Sequence, residues 1–201
     1  MTHHPIDSAA YYDQHTAQYV KNTQHVDMSP LHERFLDHLP AKARILDAGC
    51  GSGRDSVAFK RLGHEVIAYD ASAAMARHAS QALGQEVPHL RHENIDFVEA
   101  FDGIWSNASL LHVPQIDLSS VFGTMQRALV PGGILFTSFK LGEGEERRGE
   151  RHFSNHNDAS FRALIDQVPG LELIETWISN DLRPGREHEQ WLNALCMRQP
   201  R

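Results

Sequence analysis

The chain has 201 residues, 41% of them hydrophobic, with 19 Lys and Arg against 26 Asp and Glu for a formal charge of -7. That length suits one compact domain, with residues 1–40 read as a helical lid and 41–201 as its core. No apolar run approaches the roughly 18 residues of a membrane span and no signal-peptide pattern opens the chain. A cytoplasmic protein without a membrane partner is therefore expected, as a monomer or homodimer. The acidic balance disfavours phosphate-driven binding, so no nucleic-acid partner is expected either.

In chain order, two helices come first, at 11–21 and 30–39, the second carrying Leu31, Phe35 and Leu39 on one face. A β-branched run at 44–48 then reads as a strand, followed by a helix at 54–62, a strand at 65–70 and a helix at 72–83. Strands at 89–93 and 101–106 follow, then a helix at 118–129 that Pro131-Gly132-Gly133 stops, and a strand at 134–140. After a helix at 158–168, the runs 171–178 and 191–198 are joined by a loop too short for a crossover helix, so they must pair antiparallel. The expected fold is α/β and Rossmann-like: a seven-stranded, mostly parallel sheet with an antiparallel C-terminal hairpin strand and helices on both faces.

At the end of the first strand stands Asp47-Ala48-Gly49-Cys50-Gly51-Ser52-Gly53, directly before a helix. Glycines at a strand-to-helix turn let the backbone approach a ligand closely, since no Cβ intervenes and positive φ is permitted. A dinucleotide fingerprint would require Gly or Ala at its sixth position, which is Arg54 here, so that reading fails. The next strand ends in Asp70, where a carboxylate can accept both hydroxyls of a ribose. Together these features point to a nucleoside-bearing ligand.

Fourteen histidines invite a search for metal ligands, but His3/His4, His89/His92 and His152/His156 lack a third ligand on a rigid element, and no metal is expected. Cys50 and Cys196 have no paired spacing and read as reduced thiols.

Taken in order, Asp47 to Ser56, Tyr69-Asp70-Ala71-Ser72, Phe101-Asp102-Gly103-Ile104-Trp105, Ala108 to Val113 and Leu129-Val130-Pro131-Gly132-Gly133 resemble successive motifs of class I S-adenosylmethionine-dependent methyltransferases. Ser138-Phe139-Lys140 with Gly142 to Glu145, and Arg183-Pro184-Gly185-Arg186 with Trp191-Leu192-Asn193, resemble a small bacterial subgroup often labelled tellurite-resistance-like. The resemblance implies S-adenosylmethionine as cofactor. It sets Gly49, Cys50 and Gly51 against the amino-acid end of that molecule, Asp47 at its ammonium, Arg54 at its carboxylate and Asp70 at its ribose. Tyr11, Tyr12 and Tyr19 form a helical aromatic stripe of the kind that usually packs in a core, and the resemblance implies that one of them, Tyr11 or Tyr19, closes over the cofactor. Asn107 would join the pocket, and the adenine would lie near Ala71, Met75 and the Glu93-Asn94 pair. The family commonly carries Asp in the turn after its third strand. Here Arg91-His92-Glu93-Asn94-Ile95-Asp96 offers two acids and an amide for that role.

The acceptor should bind at the loops leaving the strands' carboxyl ends, residues 107–117, 141–157 and 180–188. With Lys140 at the end of the strand before the second of them, they carry His112, Arg147, Arg148, Arg151, Arg183 and Arg186. Arg147 and Arg148 alternate with Glu143, Glu145, Glu146 and Glu150 and read as a solvated charge run. Lys140, Arg183 and Arg186 are the candidates for holding a small, anionic acceptor, and His112 is the candidate base or acceptor contact. Competing readings are a cofactor-binding module without turnover, and an enzyme acting on RNA or protein.

Overall fold

The computed structural model describes residues 7–200. His3 and His4 therefore lie outside the described residues. Helix α1 (Ser8–Thr23) starts where the Asp7 carboxylate accepts from the Ala9 amide, and it is kinked at His15 (φ -116°, ψ 17°). Helix α2 (Ser29–Leu36) takes Pro30 in its first turn, where a missing N–H costs nothing, and buries Leu31 and Phe35.

Strands β1 (Arg44–Ala48), β2 (Glu65–Tyr69), β3 (Phe101–Ser106) and β4 (Leu129–Lys140) run parallel; helices α3 (Arg54–Arg61), α4 (Ala73–Leu83) and α5 (Gln115–Ala128) lie between them. Strands β5 (Glu145–Arg148) and β6 (Arg151–Ser154) form a separate hairpin before α6 (Asp158–Ile165). The chain closes with β7 (Leu171–Asn180) and β8 (Gln190–Arg198), and the main sheet runs β2-β1-β3-β4-β8-β7 with β8 antiparallel to both neighbours.

The main sheet has six strands, not seven. The 89–93 run makes a single bridge, His89 to Asp70, and then tightens into a 3-10 turn at His92–Asn94. Its side chains explain this. Arg91, Glu93 and Asn94 face solvent while His92 turns inward to Tyr69 and Ser109, so no apolar alternation holds the segment in the sheet. Residues 129–133, expected to end a helix and break the chain, instead begin β4, with a register shift against β3 and Gly132 at φ +81°. The β5–β6 hairpin occupies what the sequence reads as loop.

One face of the sheet buries Leu46, Phe101, Phe122 and Phe139; the other buries Ile45, Trp105 and Phe136 beneath Phe35 of α2 and Phe59 of α3. Trp105 stacks on Phe136 at 4.0 Å between ring centroids. Burying each such ring contributes about 1.5–3 kcal/mol, so α2 is held as part of the core. Helix α1 instead packs across α4 and β6, above the carboxyl ends of the parallel strands.

Candidate active site

A cavity of about 770 Å³ opens at those carboxyl ends. Its floor is the turn after β1, where the Gly49 and Cys50 amides both donate to the Tyr69 carbonyl at 3.0 Å. Gly49 has φ +79°, and a Cβ there would sit 1.8 Å from the Ser109 hydroxyl. Gly51 has φ +54°, and its missing Cβ would point toward Tyr19, 3.6 Å from the ring. The slot between glycine backbone and tyrosine is the cradle the sequence suggests.

Asp70 lies at the end of β2. It accepts from the Gly51 amide at 2.7 Å and the Ser72 amide at 2.8 Å. Burial pushes its carboxyl up to about 6 despite those bonds. Asp47 is buried under the loop, where burial and the nearby Asp55 carboxylate lift it well above the usual range, while the Ser56 hydroxyl donates to it at 2.5 Å.

Arg54 lines the cavity, but its guanidinium is already forked onto Asp55 at 2.8 and 2.9 Å, with a third bond to the Thr23 carbonyl at 3.0 Å. Two of its five N–H groups are left over for a ligand. Burial works to raise Asp55, yet the Arg54 charge and the bond from His32 hold it ionised, and the Trp105 indole adds a bond at 3.0 Å.

Of the other cofactor candidates, Cys50, Ala71, Met75, Glu93 and Asn107 line the cavity; Tyr11 and Asn94 do not. Asn107 accepts from the Ser138 hydroxyl at 2.9 Å. Tyr11 stacks on His15 at 4.1 Å, turned about one helical step from the wall. Tyr12 stands there instead, seven residues before Tyr19 and thus on the same helical face. Of the stripe Tyr11, Tyr12 and Tyr19, that spacing selects Tyr12 and Tyr19 for the wall.

On the far wall, the Tyr12 hydroxyl lies 2.8 Å from His112 Nε2, and His112 Nδ1 lies 2.7 Å from the His152 carbonyl. A carbonyl only accepts, so Nδ1 carries the proton and Nε2 accepts from Tyr12. Burial pushes the His112 imidazole down to about 4, so it is neutral near pH 7. Behind it, His92 bridges Tyr69 at 2.8 Å and Ser109 at 2.9 Å, also pushed down to about 4 by burial.

The three cations expected to hold an anion are all on the wall, but each already faces a carboxylate. Lys140 is buried, donating to Glu189 at 2.5 Å and Asp181 at 3.2 Å with its ammonium 3.9 Å over the Trp191 ring. That ring stands directly opposite on β8. Arg183 forks onto Asp181, and Arg186 reaches Glu189 at 3.2 Å. Burial alone would raise Asp181, but the bonds from Arg183 outweigh it and hold the carboxylate ionised. Lys140, Arg183 and Arg186 are thus spent on Asp181 and Glu189, two acids that the sequence reading passed over.

A family model described as "Methyltransferase domain" matches residues 19–190. The chain belongs to the methyltransferase domain family. Among curated relatives, the malonyl-[acyl-carrier protein] O-methyltransferase of Erwinia pyrifoliae is 37% identical over 120 residues, covering 57% of this chain and 45% of that protein. The chain thus matches less than half the length of that relative. Among solved structures, the 1,6-didemethyltoxoflavin-N1-methyltransferase of Burkholderia thailandensis, with bound 1,6-didemethyltoxoflavin and S-adenosylhomocysteine, has a TM-score of 0.78 at 20% identity over 99% of this chain and 92% of that one. A TehB-like SAM-dependent methyltransferase of Corynebacterium glutamicum has a TM-score of 0.68 at 22% identity over 94% and 100% of the two chains. These likenesses carry the Rossmann-like methyltransferase fold: a mostly parallel sheet with antiparallel C-terminal strands.

Proposed function

We propose that this methyltransferase-family chain transfers the methyl group of S-adenosylmethionine to a small-molecule acceptor. The observation that carries the reading is a single cavity joining the Gly49–Gly51 cradle and Asp70 to the polar wall of Tyr12 and His112. When bound, the cofactor supplies a methyl group already activated by its sulfonium. The protein's task is alignment and exclusion of water. Gly51 and Tyr19 clamp the ligand, Asp47 and the spare N–H groups of Arg54 meet its charged amino-acid end, and Asp70 accepts from its ribose. Ala71, Met75 and Glu93 border the adenine.

His112 suits a general base for a hydroxyl or amine acceptor, because its neutral Nε2 lone pair is presented to the cavity wall through Tyr12. A thiolate or other anionic nucleophile would need no base. The described residues 7–200 read as one domain, with α1 as its lid. The motif resemblance and the likeness to the TehB-like structure favour the tellurite-resistance-like subgroup, without naming an acceptor.

Calorimetry with S-adenosylmethionine, followed by S-adenosylhomocysteine release over carboxylate, thiol, amine and oxyanion panels, tests this reading. Saturable binding with release for one acceptor class supports it. No binding overturns it, and binding without release in any panel favours a cofactor-binding module.

A further inference from the structure

Six of the seven basic side chains on the cavity wall face a carboxylate. Lys140, Arg183 and Arg186 share Asp181 and Glu189; Arg54 has Asp55, Arg91 has Asp7, and Arg148 has Glu146. Arg151 is the exception: among the described residues it makes no salt bridge, and its Nε is buried without a hydrogen-bond partner. A buried guanidinium N–H left unmade is costly, so such a group marks a place where a ligand completes the structure.

Its surroundings define the ligand. Arg151 opens β6, directly across the hairpin from the neutralised Arg148. The guanidinium carbon lies 4.6 Å from the Tyr11 ring centroid and 5.1 Å from that of Phe153, so two aromatic rings fix its plane. It makes a hydrogen-bonding as well as a charge contact with the Tyr12 hydroxyl, and it acts by charge alone on His112. Phe153 in turn packs edge-on against His112 at 5.0 Å. A planar fork beside the proposed acceptor contacts matches a planar oxyanion that can take two parallel N–H bonds. The charge also sets a limit. One uncompensated cation balances one negative charge, and the acids elsewhere on the wall would repel a di- or triphosphate.

Resting on the methyl-transfer reading of this cavity, we infer that Arg151 is the acceptor-anchoring residue, and that the acceptor is a small molecule bearing a single carboxylate held by that guanidinium beside Tyr12 and His112. This explains why a cation hidden in a charge-rich loop is the one without a carboxylate partner. The charges of the more conspicuous Lys140 and Arg183 are already balanced by Asp181 and Glu189.

The test is calorimetry on the protein loaded with S-adenosylhomocysteine, titrated with acetate and benzoate and with acetamide and benzamide as neutral counterparts. Saturable binding of at least one carboxylate, with its amide binding more weakly, is expected. Arg151→Gln should weaken the carboxylate about 10- to 100-fold, the worth of a charge-assisted hydrogen bond. Arg151→Lys, which keeps the charge and loses the fork, should fall between. Arg148→Gln should change it less than about twofold, since an exposed, already paired charge contributes little. Unchanged S-adenosylhomocysteine affinity in Arg151→Gln serves as the check that the variant folds. Carboxylate binding unaffected by Arg151→Gln, equal binding of the amides, or no carboxylate binding by the loaded protein overturns the inference and leaves the methyl-transfer reading standing. Failure of the unmodified protein to bind S-adenosylhomocysteine overturns both.

Discussion

The Tyr12 hydroxyl donates to His112 Nε2 across 2.8 Å, tying helix α1 to the turn after β3. Because the His152 carbonyl holds the other ring nitrogen as N–H, the imidazole has one tautomer, and its basic face is the one Tyr12 occupies. Burial pushes this imidazole down to about 4. A base must be neutral to act, so the acid limb of kcat should have its midpoint near 4 rather than near the 6.5 of a free histidine. With an acceptor that needs a base, His112→Asn should lower kcat about 10²- to 10⁴-fold and remove that limb. Tyr12→Phe, which frees Nε2, should shift the limb while retaining measurable turnover. An intact acid limb in His112→Asn would end the base assignment.

Asp70, the proposed ribose contact, gives a second prediction. Its two oxygens each accept one backbone N–H, which leaves two lone-pair positions for a ribose diol. An ionised carboxylate accepts those bonds and a protonated one accepts them poorly. Since burial lifts the group to about 6, S-adenosylmethionine binding should weaken as pH falls through that value. Asp70→Asn should cost about 10- to 100-fold in affinity at pH 8 and flatten the dependence, read by calorimetry between pH 5 and 8.

How much of this was legible depends on where the signal lies along the chain. The β1 strand, the glycine turn and Asp70 are contiguous or one strand apart, and local apolar pattern plus glycine suffices to read them. The 89–93 run misleads because His89-Leu90-Arg91-His92 mimics alternation, while the inward partners of His92, Tyr69 and Ser109, are 23 and 17 residues away. The β5–β6 hairpin hides in a charge run. Its one local signal is the two-residue turn Gly149-Glu150, with Gly149 at φ +63°, as a tight hairpin of twisted strands favours. Which cation is free is not a local property at all. Lys140 is neutralised by acids 41 and 49 residues later, brought opposite by the β4–β8 pairing.

That pairing makes Lys140 a structural residue. Removing the Lys140 ammonium leaves Asp181 to Arg183 and the Trp191 indole and Glu189 to Arg186, so neither carboxylate is stranded and what is lost is a buried charge-assisted contact. Lys140→Met should therefore lower unfolding stability by about 1.5–3 kcal/mol, measured by denaturant melts. Carboxylate binding by the variant that remains folded should persist. A Lys140→Met protein of unchanged stability would contradict the buried cluster.

Asp47 should trade stability against binding. Its folded carboxyl is lifted by burial and by Asp55, so ionisation opposes folding: the group's contribution is whole at low pH and is lost as pH rises through the lifted value. Asp47→Asn keeps an acceptor for Ser56 and removes the charge. The apo variant should be more stable than the unmodified protein at pH 8.5 by about 1–3 kcal/mol, with the gap closing toward pH 5, while S-adenosylmethionine affinity falls. A gap that widens at low pH would reverse the sign of the argument.

Gly49 and Ser109 should behave as a coupled pair. A Cβ at residue 49 meets Ser109 Oγ at 1.8 Å and Ser109 Cβ at 2.7 Å, and it also carries an alanine into φ +79°. Gly49→Ala should therefore cost about 1–2 kcal/mol for the left-handed backbone and about 1–3 kcal/mol more for the overlap. Ser109→Ala removes the oxygen that causes the closest overlap, though it also strips His92 of its 2.9 Å partner. In a double-mutant cycle by urea melts, the double variant should be more stable than the sum of the single losses by about 1 kcal/mol or more, because the second change relieves a clash that the first creates. The backbone cost has no such remedy, so the double variant should stay below Ser109→Ala alone. Simple additivity would mean that the turn after β1 moves away from Ser109 as a unit, and the cradle at Gly51 would then be expected to lose cofactor affinity in Gly49→Ala as well.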